Sequence, residues 1–543
     1  MTESVLNAPV GPVAADGIDA ATLLRCLRDG LEIALVDVRE HGQYGEGHPF
    51  LAVSAPYSRL EIDVPLLVPR RATRVVLFDD GDGVAARAAR RLRDAGYTQV
   101  QVLQGGARAW AAAGRTLFQG QNLPSKTFGE CVEHAFTVPQ LSAQQLHARL
   151  ASGEPLVLLD GRTLQEHRRM TIPGAIPVPN GELALRWRSV VPDEHTPVVV
   201  HCAGRTRSIV GAQILRDLGL PNPVYALENG TQGWALAGLE LEKGSARGLP
   251  AAPRSHAQAS VRKRAQSFAQ RAGVPQLAAR EAQAWLDDAE RTTHVFDVRT
   301  AAEFATGSLP GARHVPGGQL LQTTDQHVGV RHARVLLLDD DGIRAPVIAA
   351  WLLRLGIDAA VVEGGIAAPL RVPVAAATLP PALPEQDAGA LLALRQDGSS
   401  LPLLIDLRPS ADYRQGHAAG ARWSIRPRIL ATVAHASNPL IVLLAEDEAV
   451  ARLAAPDLRQ AGHARIAWLR AATLADAGWP QEATPHSPAD ADRIDYLFFV
   501  HDRHDGNLDA ARRYLQWETG LVAQCATDEL ATFRLPAQAR RAA

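Results

Sequence analysis

The segment LLDGRT, at residues 158–163, is a short apolar run that ends in the sequence Asp-x-Arg. An apolar run of this length predicts a buried strand, and the Asp-x-Arg pair then lies at the carboxyl end of that strand. The same pattern recurs three more times along the chain. The other copies are LVDVRE at 35–40, VFDVRT at 295–300 and LIDLRP at 404–409.

Each copy is followed by a second apolar run, then by a helical pattern that ends at a glycine, and in three copies by a clear further strand. Glycine is favoured just past the end of a helix because it adopts the left-handed conformation without steric cost. Strands that alternate with helices predict βαβ units and a parallel sheet. We therefore predict an α/β protein of tandem domains, each a small parallel sheet with helices on both faces. The four glycines are Gly96, Gly219, Gly356 and Gly462.

The repeated pattern divides the chain into four domains and a tail. We name the domains repeats 1 to 4, and their predicted ranges are 14–118, 136–245, 274–373 and 383–483. The stretch 246–273 is rich in Ala and Arg, and it predicts a linker that becomes helical toward its end. The tail covers 484–543, where the run YLFFV predicts a strand and LDAARRYLQWETG predicts a helix.

Composition narrows the class of protein. Hydrophobic residues make up 46% of the 543 residues and charged residues 21%, which excludes wholesale disorder. Lys and Arg number 56 against 58 Asp and Glu, so we expect neither nucleic acid nor a membrane surface as a partner. Four cysteines are too few for a disulfide framework. No signal peptide or membrane-spanning run is visible, so we expect a soluble, cytoplasmic protein.

The loop after the second strand of repeat 2 differs from its three counterparts. It reads HCAGRTRSIVGA, at residues 201–212. When the glycines that end the helices serve as anchors, Cys202 aligns without gaps with Asp79, Asp339 and Ala445. Only repeat 2 therefore has a thiol at this position, and we expect it alone to have a basic loop there.

The position of Cys202 predicts a reactive thiolate. Open α/β sheets place ligands at the carboxyl ends of their strands, and a tight loop before a helix offers inward-pointing backbone N–H groups. The helix dipole and the charges of Arg205 and Arg207 favour the thiolate, which is the nucleophilic form. A buried structural cysteine is the alternative interpretation, and the basic, glycine-containing loop counts against it.

These motifs resemble the rhodanese-type sulfurtransferase domain. The resemblance is carried by Asp160-Gly161-Arg162, by IPGAIPVP at 172–179 and by the loop that begins at Cys202. It covers all four repeats, is close in repeat 2, and is degenerate at the catalytic position of the others. The whole chain is similar to multi-domain bacterial rhodanese-related proteins.

The resemblance implies that Cys202 is the catalytic residue. It would take sulfane sulfur from a small anionic donor such as thiosulfate, carry it as a persulfide and pass it to cyanide, a thiol or a protein acceptor. No metal or organic cofactor is implied. The persulfide and donor would lie in a cradle formed by the loop. Its members are Ala203, Gly204, Arg205, Thr206, Arg207 and Ser208.

Two other functions remain open from the sequence. The loop is close to the His-Cys-x5-Arg-Ser/Thr loop of cysteine phosphatases and arsenate reductases, but only four residues separate Cys202 from Arg207. A phosphoryl or arsenate oxyanion needs a wider nest of amides, so the shorter loop favours a single sulfur atom. A non-enzymatic scaffold is the second alternative, because three of the four repeats lack the thiol.

The Asp-x-Arg pairs occur in repeats with and without the thiol, so they cannot be only catalytic. We predict buried ion pairs that fix each strand end to a neighbouring loop. In repeat 2 this assigns a supporting role to Asp160 and Arg162, and Arg162 could additionally face the anion.

Several other polar residues could carry chemistry. Cys131 or Cys525 would relay sulfur if folding brought either close to Cys202. The acidic runs that begin at Asp79 and Asp339 lack calcium-ligand spacing and predict solvated turns. The His501 and His504 cluster matches no standard metal site. It predicts a turn before a helix that Asp505 or Asn507 caps. We therefore predict no metal site.

Overall fold

The computed structural model describes residues 17–253, 255–375, 377–434 and 440–536. The N-terminal stretch in which no signal peptide is expected, the first residues of repeat 1 and the end of the tail lie outside these ranges. Within them, no helix combines the length and the apolar character that crossing a membrane requires.

Repeats 1 to 3 each contain a five-stranded parallel sheet with the same strand order, which is first, fifth, fourth, second and third. Sheet 1 consists of β1 Gly17–Ile18, β2 Ile33–Asp37, β3 Val53–Ser54, β4 Arg74–Phe78 and β5 Val100–Leu103. Sheet 2 consists of β6 Gln140–Leu141, β7 Val157–Asp160, β8 Ile176–Pro177, β9 Val198–His201 and β10 Val224–Leu227. Sheet 3 consists of β11 Gln276–Leu277, β12 Thr293–Asp297, β13 Arg313–His314, β14 Arg334–Leu338 and β15 Asp358–Val362.

Repeat 4 retains the second to fifth strands of the same parallel sheet, and its first strand is reduced to a bridge between Glu385 and Trp468. A separate antiparallel ribbon joins β17 to β21. The strands are β16 Leu403–Asp406, β17 His417–Ala418, β18 Arg422–Trp423, β19 Ile441–Ala445, β20 Ile466–Arg470 and β21 Gln481–Glu482.

Helices connect the strands of every repeat. In and around repeats 1 and 2 they are α1 Ala20–Arg28, α2 His41–Glu46, α3 Leu60–Leu67, α4 Val84–Asp94, α5 Gly106–Ala112, α6 Leu123–Phe136, α7 Ala143–Ala151, α8 Leu164–Arg169, α9 Asn180–Val190, α10 Thr206–Asp217 and α11 Gly230–Leu236. In and before repeat 3 they are α12 Ser255–Arg271, α13 Ala279–Asp287, α14 Ala301–Thr306, α15 Gly317–Gln322 and α16 Arg344–Leu355. In repeat 4 and the tail they are α17 Ala388–Gln396, α18 Ser410–Gln415, α19 Ile429–Val433, α20 Glu448–Gln460, α21 Ala471–Asp476, α22 Leu508–Thr519, α23 Leu521–Gln524 and α24 Thr527–Leu530.

Alternating strand residues bury both faces of each sheet, which confirms the predicted architecture. In sheet 2, Val198 and Val200 pack on the face covered by α9 and α10. Val199 points to the other face, where Leu146 of α7 and Trp234 of α11 cover it. This alternation is the period of two that a strand imposes, and covering both faces explains why the strands are continuously apolar.

The strand registers confirm the gapless alignment of the four loops. In each repeat, the Asp of the Asp-x-Arg pair is paired, on the neighbouring strand, with the residue just before the position that Cys202 occupies in repeat 2. Asp160 pairs with His201, which precedes Cys202. The other three pairs are Asp37 with Phe78, Asp297 with Leu338 and Asp406 with Leu444. Asp79, Asp339 and Ala445 therefore occupy the place of Cys202 at the same edge of each sheet.

Repeats 1 to 3 share one continuous hydrophobic core, whereas repeat 4 has cores of its own. Phe128 of α6 lies at the junction, with its ring centroid 6.0 Å from that of Trp351 and 5.4 Å from that of Phe533. Repeat 4 contacts repeat 1 through polar groups instead. Arg426 forms an ion pair with Glu61 at 2.6 Å. Repeat 2 is thus packed within a three-repeat unit.

The tail departs from the sequence prediction at residues 496–500. The run YLFFV is not a strand, because its apolar side chains pack against the tail helix and toward repeat 2. The Phe499 ring lies 5.5 Å from that of Trp517 in α22. Leu497, Phe499 and Val500 line a cavity that also contains Cys202. This packing covers part of the segment, and Phe498 stays 42% exposed.

The remaining tail follows the prediction more closely. Residues His501–His504 form a 3-10 segment that is kinked at Asp502. The helix α22 then begins after Asn507, whose side chain accepts a hydrogen bond of 3.0 Å from the Ala510 backbone N–H. Asn507 is therefore the cap predicted for this helix.

Candidate active site

Cys202 lies at the carboxyl end of β9, the central strand of sheet 2, and its side chain is 2% exposed. The strand places the thiol at the start of a four-residue loop, and α10 begins at Thr206. The backbone carbonyl of Cys202 accepts a hydrogen bond of 2.8 Å from the N–H of Thr231. Close contact between the two loops requires glycine at 230, where φ is +52° and a Cβ atom would lie 2.2 Å from that carbonyl oxygen.

Asp160 and Arg162 support the strand end but do not line the cavity. Arg162 is 2% exposed, holds Asp160 at 2.8 Å and donates to the Met170 carbonyl at 2.6 Å. Equivalent bonds run from Arg39 to Gly47, from Arg299 to Gly307 and from Arg408 to Gly416. The predicted buried ion pairs are confirmed, and the suggestion that Arg162 faces an anion is not supported.

The carboxylate of Asp160 also organises two histidines. It accepts a hydrogen bond from His167 at 2.9 Å and lies 3.7 Å from His201. Burial alone would raise the pKa of Asp160, but His201 and the hydrogen bond from Arg162 hold it well below its usual range. A charged carboxylate thus anchors the polar groups beneath the catalytic strand.

Arg205, which the sequence placed in the cradle around the persulfide and donor, is buried and points away from the cavity. Its side chain is 8% exposed and forms hydrogen bonds of 2.8 and 2.9 Å with the Glu130 carboxylate of α6. A second carboxylate, Glu133, also pairs with it. Arg205 does not line the cavity. The close approach of α6 explains the difference, because Gly129 lets this helix pack directly on Thr206.

Arg207 does line the cavity, and it is paired with Glu166 by hydrogen bonds of 2.7 and 2.8 Å. Burial opposes the charge on Arg207, but the Glu166 carboxylate outweighs it and raises the pKa of Arg207. The pKa of Glu166 falls to about 2, because Arg207 outweighs the effect of burial. Both groups are therefore charged at neutral pH.

Of the other four loop residues, two line the cavity and two make hydrogen bonds behind it. Ala203 and Gly204 line the cavity, whereas Thr206 and Ser208 do not. The Thr206 hydroxyl donates to Glu518 of the tail at 2.8 Å. The Ser208 hydroxyl donates to the Arg205 carbonyl at 2.7 Å and lies 3.8 Å from the sulfur of Cys202.

The cavity beside Cys202 has a volume of about 260 Å³ and is built from four parts of the chain. Repeat 2 provides the catalytic loop and Gln232, the segment before repeat 2 provides Lys126, and α15 of repeat 3 provides Gln319 and Gln322. The tail supplies the remaining wall. Its lining residues are Leu497, Phe499, Val500, Arg503, His504, Tyr514 and Trp517.

Sequence reasoning missed the contributions of α6, repeat 3 and the tail. Lys126 donates to the Tyr514 hydroxyl at 2.6 Å and to the Glu518 carboxylate at 3.1 Å. These contacts join residues that are far apart in the chain, and no local motif marks them. The one available signal was the aromatic and basic composition of the tail around Arg503.

The loops of repeats 1 and 3 have their amides occupied by their own carboxylates. Asp79 accepts hydrogen bonds from the N–H groups of Gly81 at 2.8 Å and Ala85 at 2.9 Å. Asp339 accepts from Gly342 at 3.1 Å and Ala345 at 2.9 Å. Asp79 and Asp339 are each 4% exposed, whereas residues 81–83 and Asp340 are exposed, so the turns are solvated as predicted except at the position that corresponds to Cys202 and, in repeat 3, at Asp341.

Cys131 and Cys525 do not line the catalytic cavity. Burial raises the pKa of Cys131 to about 11 and that of Cys525 to about 12, so both are protonated thiols at neutral pH. Neither observation supports the sulfur relay that the sequence left open. Across the described ranges, no group of three or more His, Cys, Asp or Glu side chains is arranged to hold a metal ion.

The arrangement suits nucleophilic transfer of a small group. The Cys202 thiol lies just before the N-terminus of α10, in a polar cavity that is also lined by neutral amides and by three cations, two of which are ion-paired. The first N–H groups of a helix have no intrahelical partner, and they stabilise a negative charge close to them.

Comparison with known proteins supports the same chemistry. A family model described as a rhodanese-like domain matches residues 20–113, 142–237 and 278–369, which fall in repeats 1, 2 and 3. The crystal structure of a thiosulfate sulfurtransferase from Pseudomonas aeruginosa is similar over 96% of this chain and 99% of that one, at 37% identity and a TM-score of 0.88. A thiosulfate sulfurtransferase of Azotobacter vinelandii is 28% identical in a match 231 residues long, which covers 35% of this chain and 83% of the relative.

Proposed function

The chain belongs to the rhodanese-like family, and we propose that it is a thiosulfate sulfurtransferase in which Cys202 carries the transferred sulfur. One observation carries this proposal. Among its four cysteines, Cys202 is the one that lines the cavity, and it does so where β9 meets the start of α10.

In the first step the Cys202 thiolate attacks the outer, sulfane sulfur of the donor. A sulfur–sulfur bond forms to Cys202, the bond between the two donor sulfurs breaks, and sulfite leaves with that electron pair. The step is a displacement, so no external oxidant or reductant is required. A covalent intermediate divides one transfer between two substrates into two simpler displacements.

In the second step an acceptor removes the sulfur. The carbon of cyanide, or the sulfur of a thiolate, attacks the outer persulfide sulfur and the bond to Cys202 breaks. The electron pair returns to Cys202 as a thiolate, and thiocyanate or a new persulfide leaves. The helix N-terminus that follows Cys202 would stabilise the negative charge of both the resting thiolate and the persulfide.

The cavity favours small substrates. Its volume of about 260 Å³ is bounded by repeat 3 and the tail as well as by the catalytic loop. The acceptor we propose is therefore cyanide or a low-molecular-weight thiol. A protein acceptor would have to present its thiol on an extended segment narrow enough to enter.

The proposed location is the cytoplasm. A content of four cysteines in 543 residues supports it, because a reducing compartment preserves free thiols. It also suits a catalytic cysteine that must return to the thiolate after each cycle.

The thiosulfate:cyanide assay tests this function, with thiocyanate as the measured product. Wild-type protein is expected to turn over thiosulfate, and Cys202→Ser to have no activity above background. Cys26→Ser is the matched control, since Cys26 lies in α1 of repeat 1, and it should retain full activity. Activity in Cys202→Ser would place the sulfur carrier elsewhere.

A further inference from the structure

Three cationic side chains line the catalytic cavity, and two of them are neutralised by carboxylates. They are Lys126, Arg207 and Arg503. Lys126 is held by Glu518 at 3.1 Å. Arg207 is held by Glu166 at 2.7 Å. Because each of these two pairs is electrically balanced, neither cation is the counter-charge for an incoming anion.

The pair between Arg207 and Glu166 is part of the repeat framework. Repeat 3 contains the equivalent pair, in which Arg344 holds Glu303 at 2.7 Å. The loop position of repeat 3 is Asp339, so no thiol is served by that pair. Repeat 3 thus keeps the ion pair although it has no thiol. The main role of the pair is therefore to hold the loop against the helix that carries the glutamate, which is α8 in repeat 2 and α14 in repeat 3.

Arg503 differs from the other two cations. Within the part of the chain that the structure describes, no carboxylate forms an ion pair with it. Its Nη1 donates to the Val500 carbonyl at 3.0 Å, and its guanidinium lies 4.7 Å from the centre of the Tyr514 ring. Its Nε is buried and has no hydrogen-bond partner. The tail therefore holds an unneutralised positive charge over the catalytic cavity.

Gln232 lines the same cavity and, like Arg503 and His504, also a neighbouring one, and its side chain carries further unused polar groups. Its side chain is 3% exposed, yet neither Oε1 nor Nε2 has a hydrogen-bond partner. His504 has an unpartnered Nδ1 as well. Burial, assisted by the charge of Arg503, lowers the pKa of His504 to about 3, so it is neutral. Buried polar atoms are nearly always satisfied, and this cluster therefore indicates a polar ligand.

We propose that Arg503 and Gln232 form the subsite for the oxyanion end of the sulfur donor, with Arg503 as its counter-charge. This inference rests on the proposed function and deepens it. The donor is a small sulfonate-type dianion whose sulfane sulfur faces Cys202 while its oxygens accept hydrogen bonds from Arg503 and the Gln232 amide. When the bond between the donor sulfurs breaks, the electron pair goes to the departing sulfite, which Arg503 stabilises.

The subsite can be tested without turnover by alkylating Cys202 with two reagents of similar size. Iodoacetate is an anion and iodoacetamide is neutral, and both form the same thioether bond and release iodide. We consider the rate constant for iodoacetate divided by that for iodoacetamide, both measured at Cys202 by mass spectrometry of the peptide. This ratio reports the charge that an anion meets in the cavity. Arg503→Gln should lower this ratio about tenfold, since a charge-assisted hydrogen bond is lost.

Arg512→Gln is the matched control. Arg512 lies in α22, is 60% exposed and pairs with Asp509, and the substitution removes the same net charge. Its ratio should equal that of the wild type. An unchanged ratio in Arg503→Gln, or an equal fall in Arg512→Gln, would overturn the proposal. The iodoacetamide rate alone checks that the cavity is intact, and Arg503→Lys should recover part of the ratio.

Steady-state kinetics then connect the subsite to the reaction. Arg503→Gln should raise the KM for thiosulfate about tenfold while changing the KM for cyanide much less. Equal changes in both constants would contradict a donor subsite. The alkylation ratio does not depend on sulfur transfer, so a failure of the proposed function and a failure of this subsite give different results.

Discussion

The hydroxyl of Thr206, the first residue of α10, donates a hydrogen bond of 2.8 Å to the carboxylate of Glu518 in α22. Lys126 of α6 donates to the same carboxylate oxygen at 3.1 Å. The start of the catalytic helix is therefore tied both to the tail and to the helix that precedes repeat 2. The tail, which lines the cavity beside Cys202, is thus anchored to the first residue of the helix that follows the loop.

Gly204→Ala tests how closely the tail packs on the catalytic loop. A Cβ atom at this position would lie 2.8 Å from Glu518 Oε2 and 3.0 Å from Tyr514, so the tail or the loop must move. We expect thiosulfate transfer to fall at least about tenfold, because small displacements of reacting groups are costly. Gly248→Ala is the control, since its Cβ would meet no atom within 4 Å. Wild-type rates in Gly204→Ala would contradict the packing.

Arg205→Ala should affect stability more than donor binding. The substitution leaves Glu130 buried without its partner, and breaking a buried pair in this way costs about 3–5 kcal/mol. We expect a clear fall in the thermal unfolding midpoint and a KM for thiosulfate within about twofold of the wild type. Arg512→Ala should leave both quantities unchanged. A large rise in KM with no loss of stability would instead make Arg205 a donor-binding residue.

The pair between Glu166 and Arg207 predicts a defined acid sensitivity. The pKa of Glu166 is lowered from 4.5 to about 2 in the folded protein. Its stabilising contribution is therefore complete above pH 4.5 and is lost as the pH falls toward 2. The difference in unfolding midpoint between the wild type and Glu166→Gln should be largest near neutral pH and shrink below pH 4.5.

Glu303→Gln provides a parallel measurement in repeat 3, where Arg344 likewise helps to lower the pKa of the carboxyl group to about 2. It should show the same pH dependence and leave sulfur transfer largely intact. A difference that grows as the solution is acidified would contradict the assigned direction of both shifts.

Asp79→Cys should not create a second sulfur site in a Cys202→Ser background. The acidic Asp82 remains beside the new thiol, and Arg503, which forms no ion pair within the described residues, lines the cavity of Cys202 and not the position of Asp79. An anionic donor would be repelled at that edge of the sheet. Thiocyanate formation above background in this double variant would show that backbone amides alone suffice.

The fold and the place of Cys202 could be predicted from the sequence because both depend on local periodic signals. The Asp-x-Arg pairs mark strand ends, and the helix-ending glycines fix the spacing between strand and helix. The registers confirm this alignment in all four repeats, including repeat 4, where Ala445 replaces the thiol. Regular strands and helix ends are determined by residues that are close together in the chain.

The walls of the cavity could not be predicted in this way. Arg205 donates a hydrogen bond to Glu130, in a helix before repeat 2, and Thr206 donates one to Glu518 in the tail. The apolar run at 496–500 had the composition of a strand, but it packs beside Cys202 instead. Such contacts depend on how complete repeats dock on one another, and no spacing in the sequence encodes that docking.

The persulfide on Cys202 is tested most directly by intact-protein mass spectrometry after incubation with thiosulfate and removal of the excess. The wild-type protein should gain the mass of one sulfur atom, and cyanide should remove it. Cys131→Ser and Cys525→Ser should gain the same mass, whereas Cys202→Ser should gain none. Sulfur retained by Cys202→Ser, or no gain in the wild type, would contradict Cys202 as the sulfur carrier.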